Sequence, residues 1–287
     1  MRTVMYHTGL YDKQSYCQME RIRCFNRLAK ESLKNDLLIE VHTTVNNSAP
    51  GYASKLERMY KKNAEFPFFI KDIGKKDYFI NLELPAKFQM RDGTVRNDMN
   101  GNPIIFEAKA FDIYRLMAEI FNEGMDYAEK NNIDFYSIQS GDQLVPEDHA
   151  VVLTKFLDEH PSAGLVGGIV FFDFSKKKMI RNGKTVEAYR PMVDMDTPEK
   201  TAWLWANLFP NEENGYTGLE YAEVRMVGTG GSMIPRDVFT KLKFHTVFDG
   251  TGEDIRYCDE IRSILGKKVF VHTGVSIPNR YPSGEKY

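Results

Sequence analysis

Short apolar runs alternate with longer amphipathic ones from the first residues onward. Arg2 to Leu10 reads as a strand, and Gln14 to Asn35 then places Ile22, Phe25, Leu28, Ala29 and Leu33 at helical spacing among Arg, Lys and Glu. A second apolar run, Leu37 to Val45, ends at N-N-S-A-P-G; a helical pattern follows from Tyr52 to Asn63, then a short strand from Phe66 to Lys71. Strand, helix, strand, helix, strand predicts a parallel sheet, because parallel neighbours need a crossover rather than a tight turn.

The rhythm breaks between Asp72 and Pro103, where Gly74, Gly93 and Gly101 and a D-G turn signal predict an inserted hairpin or loop. Ile104 to Asn131 carries Phe106, Ala110, Tyr114, Met117, Phe121 and Ala128 on one stripe, a long helix leading to a strand at Asp134 to Gln139. After S-G-D-Q-L-V, Pro146-Glu147-Asp148 opens a helix through His160, since proline and acidic residues suit a helix's first turn. Gly164 to Asp173 reads as a buried strand, with a hairpin around Lys176 to Lys178 and Asn182-Gly183. Thr185 to Tyr221 is irregular and holds both tryptophans, Trp203 and Trp205. Strand and turn resume over Val224 to Ile234; helices follow over Asp237 to Lys243 and Glu253 to Leu265, and a last strand over Lys268 to Val275. The whole reads as one α/β domain with a mostly parallel central sheet, spanning 1–287, with insertions near 72–103 and 185–221.

Charge and composition then narrow the partners. With 38 basic against 40 acidic residues, the net charge of -2 provides no general field for a polyanion, so duplex DNA is disfavoured as an obligate partner. The most apolar stretch, Leu165 to Phe172, is interrupted by Gly167 and Gly168 and is far shorter than the roughly 20 residues of a membrane span. The N-terminal residues lack the pattern of a secretory signal, so a cytoplasmic location is expected. Cys17, Cys24 and Cys258 form no C-x-x-C pair and read as ordinary thiols.

Candidate chemistry centres on Asp142, just after an apolar strand. In open α/β sheets ligands collect beyond the carboxyl ends of the strands, where a carboxylate can hold a hard divalent ion bound to phosphate oxygens. Asp between Gly and Gln is equally a turn former. Likewise Glu253 and Asp254 are suited either to acid–base chemistry or simply to the first turn of a helix. Gly228-Thr229-Gly230-Gly231-Ser232 lacks the Lys-Ser or Lys-Thr of a Walker loop and the third Gly of a dinucleotide fingerprint; close backbone approach to a ligand suits it better.

Three segments carry a resemblance. Phe121-Asn122-Glu123-Gly124, Ala128 and then I-D-F-Y-S-I-Q-S-G-D resembles the R-N-x-G, Ala, apolar strand, D-x-D series of nucleotide-sugar glycosyltransferases of the GT-A fold. The stretches E-V-R-M-V-G-T-G-G-S-M-I-P-R-D-V-F and F-D-G-T-G-E-D-I-R-Y-C-D-E-I-R are similar to the second half of family-2-like members. The resemblance covers roughly Phe121 to Asn279. It implies a single Rossmann-like GT-A domain, with 1–142 binding the nucleotide sugar and 143–287 the acceptor. The implied activity is a metal-dependent transfer of a hexosyl or pentosyl group from a nucleoside-diphosphate donor to a hydroxyl of a glycan, protein or modified nucleobase, with inversion if Asp254 lies in line. Mn²⁺ or Mg²⁺ is the implied cofactor, held by Asp142 with His272 or Asn279 as further ligands. Asp254, beside Glu253, matches the base. Ser140 stands where the first D-x-D carboxylate is expected and Phe121 where the arginine is, leaving Lys109 or Arg115 to supply positive charge. His7, Thr8, Asp72, Asn122, Ser140, Gly230 and Gly231 fall where this fold grips the donor. The second strand closes on Thr43, Thr44 and Asn46, so the base is not specified. Two alternatives stay open: a sugar nucleotidyltransferase, for which H-T-G-L-Y-D-K is a poor phosphate loop, and a non-catalytic sugar-nucleotide or glycan binder.

Overall fold

A computed structural model describes residues 1–76, 86–87, 105–106, 110–170, 177–181, 184–188, 193–196, 200, 219–246 and 252–277. The strands are β1 (Arg2–Leu10), β2 (Leu37–Val45), β3 (Phe68–Asp72), β4 (Ala86–Lys87), β5 (Ile105–Phe106), β6 (Phe135–Ser140), β7 (Ala163–Val170), β8 (Lys177–Arg181), β9 (Lys184–Ala188), β10 (Val193–Asp194), β11 (Tyr221–Val224), β12 (Met226–Val227), β13 (Ser232–Pro235) and β14 (Lys268–Ile277). The α-helices are α1 (Gln18–Leu33), α2 (Tyr52–Asn63), α3 (Ala110–Lys130), α4 (His149–Glu159), α5 (Arg236–Phe239) and α6 (Glu253–Ser263), and a 3-10 helix over Asp12–Cys17 leads into α1.

Eight strands form the central sheet in the order β11-β14-β7-β13-β6-β1-β2-β3. All run parallel except β13, antiparallel to β6 and β7, and β11, antiparallel to β14. The inner strands read as continuous apolar runs because both their faces are covered; β7, A-G-L-V-G-G-I-V, is buried at every residue. One face packs Ile22, Phe25 and Leu28 of α1, Leu56 and Tyr60 of α2, and Leu153 and Phe156 of α4. The other packs Leu116, Ile120 and Phe121 of α3, Val238 and Phe239 of α5, and Tyr257 and Ile261 of α6. Each such side chain, moved out of water, contributes about 1.5–3 kcal/mol. The result is a helix–sheet–helix sandwich.

Strand order reverses beside β1. From β1 the chain crosses to β2 and β3 on one side, and later returns to place β6 on the other, in parallel register His7↔Ile138, Thr8↔Gln139 and Gly9↔Ser140. This is the topological switch point of an open α/β sheet, where a crevice forms beyond the strand ends. The expected hairpin around Asn182-Gly183 is present as the antiparallel pair β8–β9, and a short β4–β5 pair lies in the 72–103 insertion and just past it. Most of that insertion and of 185–221 lies outside the described residues. Among the described residues no helix is long and apolar enough to cross a membrane.

Candidate active site

Several of the residues singled out by sequence come to one edge of the sheet. The parallel strands β1, β2, β3 and β6 end there at Leu10, Val45, Asp72 and Ser140. Because β13 runs the other way, its start at Ser232 brings Gly230 and Gly231 to the same edge, beside Ile138 and Gly167. Helix α6 precedes β14, which runs parallel to β7, so the return direction of a crossover helix puts its start, Glu253 and Asp254, at that end as well.

Ser140 to Gln143 forms a turn closed twice. The Gln143 N–H donates to the Ser140 carbonyl at 3.2 Å, and the Ser140 N–H donates to Gln143 Oε1 at 2.8 Å. From the other side, Gln18 Nε2 (2.9 Å) and Cys17 Sγ (3.3 Å) donate to the Gly141 carbonyl. A side chain at residue 141 is excluded, since a Cβ there would lie 2.2 Å from Gln14 Oε1 and 2.6 Å from Leu10 Cδ1. Asp142 Oδ1 is buried and has no hydrogen-bond partner among the described residues. Burial raises the Asp142 pKa; hydrogen bonds from Ser140 and its own backbone, and the nearby Arg21 charge, act against that rise.

Arg21 is itself fully buried on the apolar stripe of α1. Its Nη1 donates to Gln18 Oε1 at 3.0 Å and its Nη2 to Thr8 Oγ1 at 2.8 Å. Register places Thr43, Thr8 and Gln139 side by side across β2, β1 and β6, a buried polar row. A buried guanidinium is costly unless it is compensated; the hydrogen bonds to Gln18 and Thr8 engage its ends, its Nε has no partner among the described residues, and its charge acts on Asp142 without a direct ion pair among them.

The glycine turn is locked from several directions. Gly231 has φ +83°, and a Cβ there would lie 1.9 Å from Ile277 Cδ1. Its N–H donates to the Ile138 carbonyl at 2.7 Å and its own carbonyl accepts the Gly168 N–H at 3.1 Å. That carbonyl also lies 3.1 Å from His149 Nε2, which must therefore carry the proton; His149 Nδ1 then accepts from the Tyr6 hydroxyl at 2.7 Å. Burial lowers the His149 pKa to about 4, keeping the ring neutral. His149 thus ties β1, the start of α4 and the glycine turn together. No feature of P-E-D-H announced this role, because its partners lie 143 and 82 residues away.

At the start of α6, Gly252 is the N-cap and Asp254 Oδ1 accepts the Ile255 N–H at 2.8 Å. Glu253 Oε2 is buried without a partner among the described residues. Burial first, and the neighbouring Asp254 charge second, push the Glu253 carboxyl up to about 8.

No family model and no curated protein sequence matches the chain. Solved structures do. GalNAc-T7, crystallised with UDP, GalNAc and Mn²⁺, superposes at a TM-score of 0.52 with 11% identity over 98% of this chain and 44% of that one. The fold is the GT-A fold. Two further matches score lower: Staphylococcus aureus TarS 1–349 with UDP-GlcNAc (0.49, 12% identity, 99% of this chain, 60% of that one) and the Pyrobaculum calidifontis mannosyltransferase PcManGT with GDP-Man and Mn²⁺ (0.48, 14% identity, 94% and 56%). The chain spans 35% to 60% of the length of the three TarS structures it matches.

Within this GT-A fold, several residues expected at the donor have structural partners. His7 is buried with both ring nitrogens engaged, Nδ1 with the Tyr136 hydroxyl (2.6 Å) and Nε2 with Thr44 Oγ1 (2.9 Å); burial lowers its pKa to about 3. Thr8 is buried beneath the sheet on Arg21. Asn122 clamps the backbone of Phe244 with both amide atoms, at 2.7 Å each. Gly124 is needed because a Cβ would lie 2.0 Å from His7 Nδ1, so the N-x-G spacing reflects the packing of α3 on β1. Asp72 is exposed and accepts the Gly74 N–H at 2.9 Å. His272 sits within β14 against Phe156 (ring centroids 5.6 Å apart), its Nδ1 accepting the Gly274 N–H at 3.2 Å. Burial lowers its pKa. Among the described residues no group of three or more His, Cys, Asp or Glu side chains is placed to hold a metal. Arg115 is paired with Glu119 at 2.9 Å; the cation whose charge acts on Asp142 is Arg21, which sequence reading missed. Asn279, Lys109, Trp203 and Trp205 lie outside the described residues.

Proposed function

We propose that the chain is a metal-dependent glycosyltransferase that moves a sugar from a nucleoside-diphosphate donor to an acceptor hydroxyl with inversion. The observation that carries this reading is the bare, buried Oδ1 of Asp142, held in a braced turn at the switch point between β1 and β6. A buried carboxylate oxygen with no donor suits a hard cation, and a lone protein carboxylate suits Mg²⁺ or Mn²⁺ whose other ligands come from substrate phosphates. Asp142 would hold the ion, with Ser140 bracing it, and the bound ion supplies positive charge for the departing diphosphate.

The chain's own residues do the rest. The 230–231 turn, bare of side chains, lets a sugar approach the main chain closely. Asp254 takes the proton of the acceptor hydroxyl as that oxygen bonds to the anomeric carbon and the bond from this carbon to the phosphate oxygen breaks. The electron pair of that bond leaves with the nucleoside diphosphate. Glu253, protonated near neutral pH, keeps a second negative charge away from Asp254. Asp72, exposed at the end of β3, is available to the nucleoside.

The test is a thermal-shift panel of nucleotides and nucleotide sugars with and without Mn²⁺, followed by measurement of nucleoside diphosphate release. A donor-selective, metal-dependent rise in Tm with turnover supports the reading. Pyrophosphate release would instead indicate a nucleotidyltransferase, tight binding without turnover a sugar-nucleotide binder, and no metal-dependent shift with any donor would overturn the proposal.

A further inference from the structure

Resting on that reading, one residue outside the expected set connects its two halves. Gln143 is buried, and its side-chain oxygen is fixed by the Ser140 N–H at 2.8 Å, which sets which way the carboxamide points. The same carboxamide covers Gly230: a Cβ on Gly230 would lie 2.6 Å from Gln143 Nε2, 3.0 Å from Oε1 and 3.2 Å from Cδ. Gly230 has no positive φ of the kind seen at Gly231, so the need for glycine there is steric and comes from Gln143. Gln143 cannot easily yield. Swinging the amide away from a new methyl group would release the Ser140 N–H and loosen the turn that carries Asp142.

We propose that Gln143 is a positioning residue that sets the Asp142 turn and the 229–231 turn in one fixed relation, so that metal affinity at Asp142 depends on the size of residue 230. The contact runs through side-chain packing and a single hydrogen bond, so it is testable as a coupling between two positions. Gly230→Ala forces the amide off Ser140. Gln143→Ala removes both the brace and the obstruction, and in its presence an alanine at 230 is tolerated.

Mn²⁺ affinity in the presence of UDP or GDP, read from the electron paramagnetic resonance of free Mn²⁺, and the denaturant midpoint are measured for wild type, Gly230→Ala, Gln143→Ala and the double variant. The expected result is a loss of about tenfold in Mn²⁺ affinity for Gly230→Ala and about threefold for Gln143→Ala, with the double variant no worse than about threefold. A double variant whose loss equals the product of the two single losses, with additive midpoints, overturns the proposal. Should Gly230→Ala fail to fold, recovery of folded protein in the double variant supports the coupling, and its failure while Gln143→Ala folds overturns it. If the wild type binds no Mn²⁺ with any nucleotide of the thermal-shift panel, the glycosyltransferase reading fails, and the midpoints alone decide the coupling: non-additive for, additive against.

Discussion

Asp142 and Glu253 each bury a carboxylate oxygen that has no hydrogen-bond partner among the described residues, yet their surroundings differ in sign. The Asp142 carboxylate is hydrogen-bonded by Ser140 and feels the Arg21 charge; beside Glu253 lies another carboxylate, Asp254. Burial raises both pKa values, but the Ser140 hydrogen bond, the backbone and, least of the three, the Arg21 charge counter the rise at Asp142, whereas a like charge adds to it at Glu253 and takes it to about 8. The backbone follows the same division. Cys17 and Gln18, at the start of α1, and Gln143, within the turn, grip the Asp142 turn, while Asp254 caps the N–H of the next residue in its own helix. In the proposed mechanism the braced carboxylate is the one that would hold a metal and diphosphate in fixed geometry. Of the acidic pair, one member would hold a proton and leave the other to accept one.

The hardest break in this contrast is Asp142→Asn, which keeps the shape and removes the charge. Nucleoside diphosphate release with Mn²⁺ is expected to fall about 10³-fold, the order of a lost metal-stabilised leaving group. Turnover within a few fold of wild type would remove Asp142 from the metal site. Asp254→Asn is expected to lower kcat by about 10²-fold, with Mn²⁺ affinity unchanged, because a base acts on the acceptor and not on the donor complex. A matching loss of Mn²⁺ binding would mean that the two acidic regions are one.

Much of this architecture was legible in the sequence, for a stated reason. β1 and β2 have the bounds that the apolar runs predicted, and α2 runs from Tyr52 to Asn63 as its spacing required, because buried parallel strands and amphipathic helices write their burial into the local pattern. Helix α4 begins at His149, three residues after Pro146, and α3 at Ala110 instead of Ile104, where propensity could not locate the end. The site was half legible. Position after a strand pointed to Asp142, but motif matching also drew in His7, against which Gly124 of α3 packs, and Asn122, which holds the backbone of Phe244. Arg21 left a signal that could have been read: it occupies an apolar-stripe position of α1 with Gln18 one turn before it, and a charge there demands a buried partner. His149 left none, since its partners come from across the fold, and the contact of Gln143 with Gly230 is equally remote in sequence.

Paired glycine substitutions sharpen the difference between the braced turn and the helix start at smaller scale. Alanine at Gly141 meets Gln14 Oε1 at 2.2 Å and Leu10 Cδ1 at 2.6 Å, and Gln14 is buried, so it has little room to give way. Overpacking of this kind is expected to cost about 1–3 kcal/mol in denaturant unfolding. At Gly252, whose φ of -61° any residue adopts, alanine meets Asp254 Oδ1 at 3.0 Å and is expected to cost less than about 1 kcal/mol, the loss at an N-cap that has no side-chain cap to remove. Equal costs would show that the Asp142 turn is no more tightly held than the start of α6.

The gentlest substitution tests the sign argument itself. Glu253 keeps its proton up to about pH 8 in the folded protein, against an ordinary value of 4.5. Between those values the folded state binds more protons than the unfolded chain, so its stability is full below the lower value and declines as pH rises through the higher one. Glu253→Gln imitates the protonated side chain at every pH and so removes that decline. The Tm of the variant is expected to gain on wild type as pH rises from 5 to 9, while turnover near pH 7 changes by no more than about threefold, since the neutral form is already the populated one. If Glu253→Gln instead reduced turnover as far as Asp254→Asn and left the pH profile of Tm untouched, Glu253 would be the ionised member of the pair, and the roles assigned to the two carboxylates would have to be exchanged.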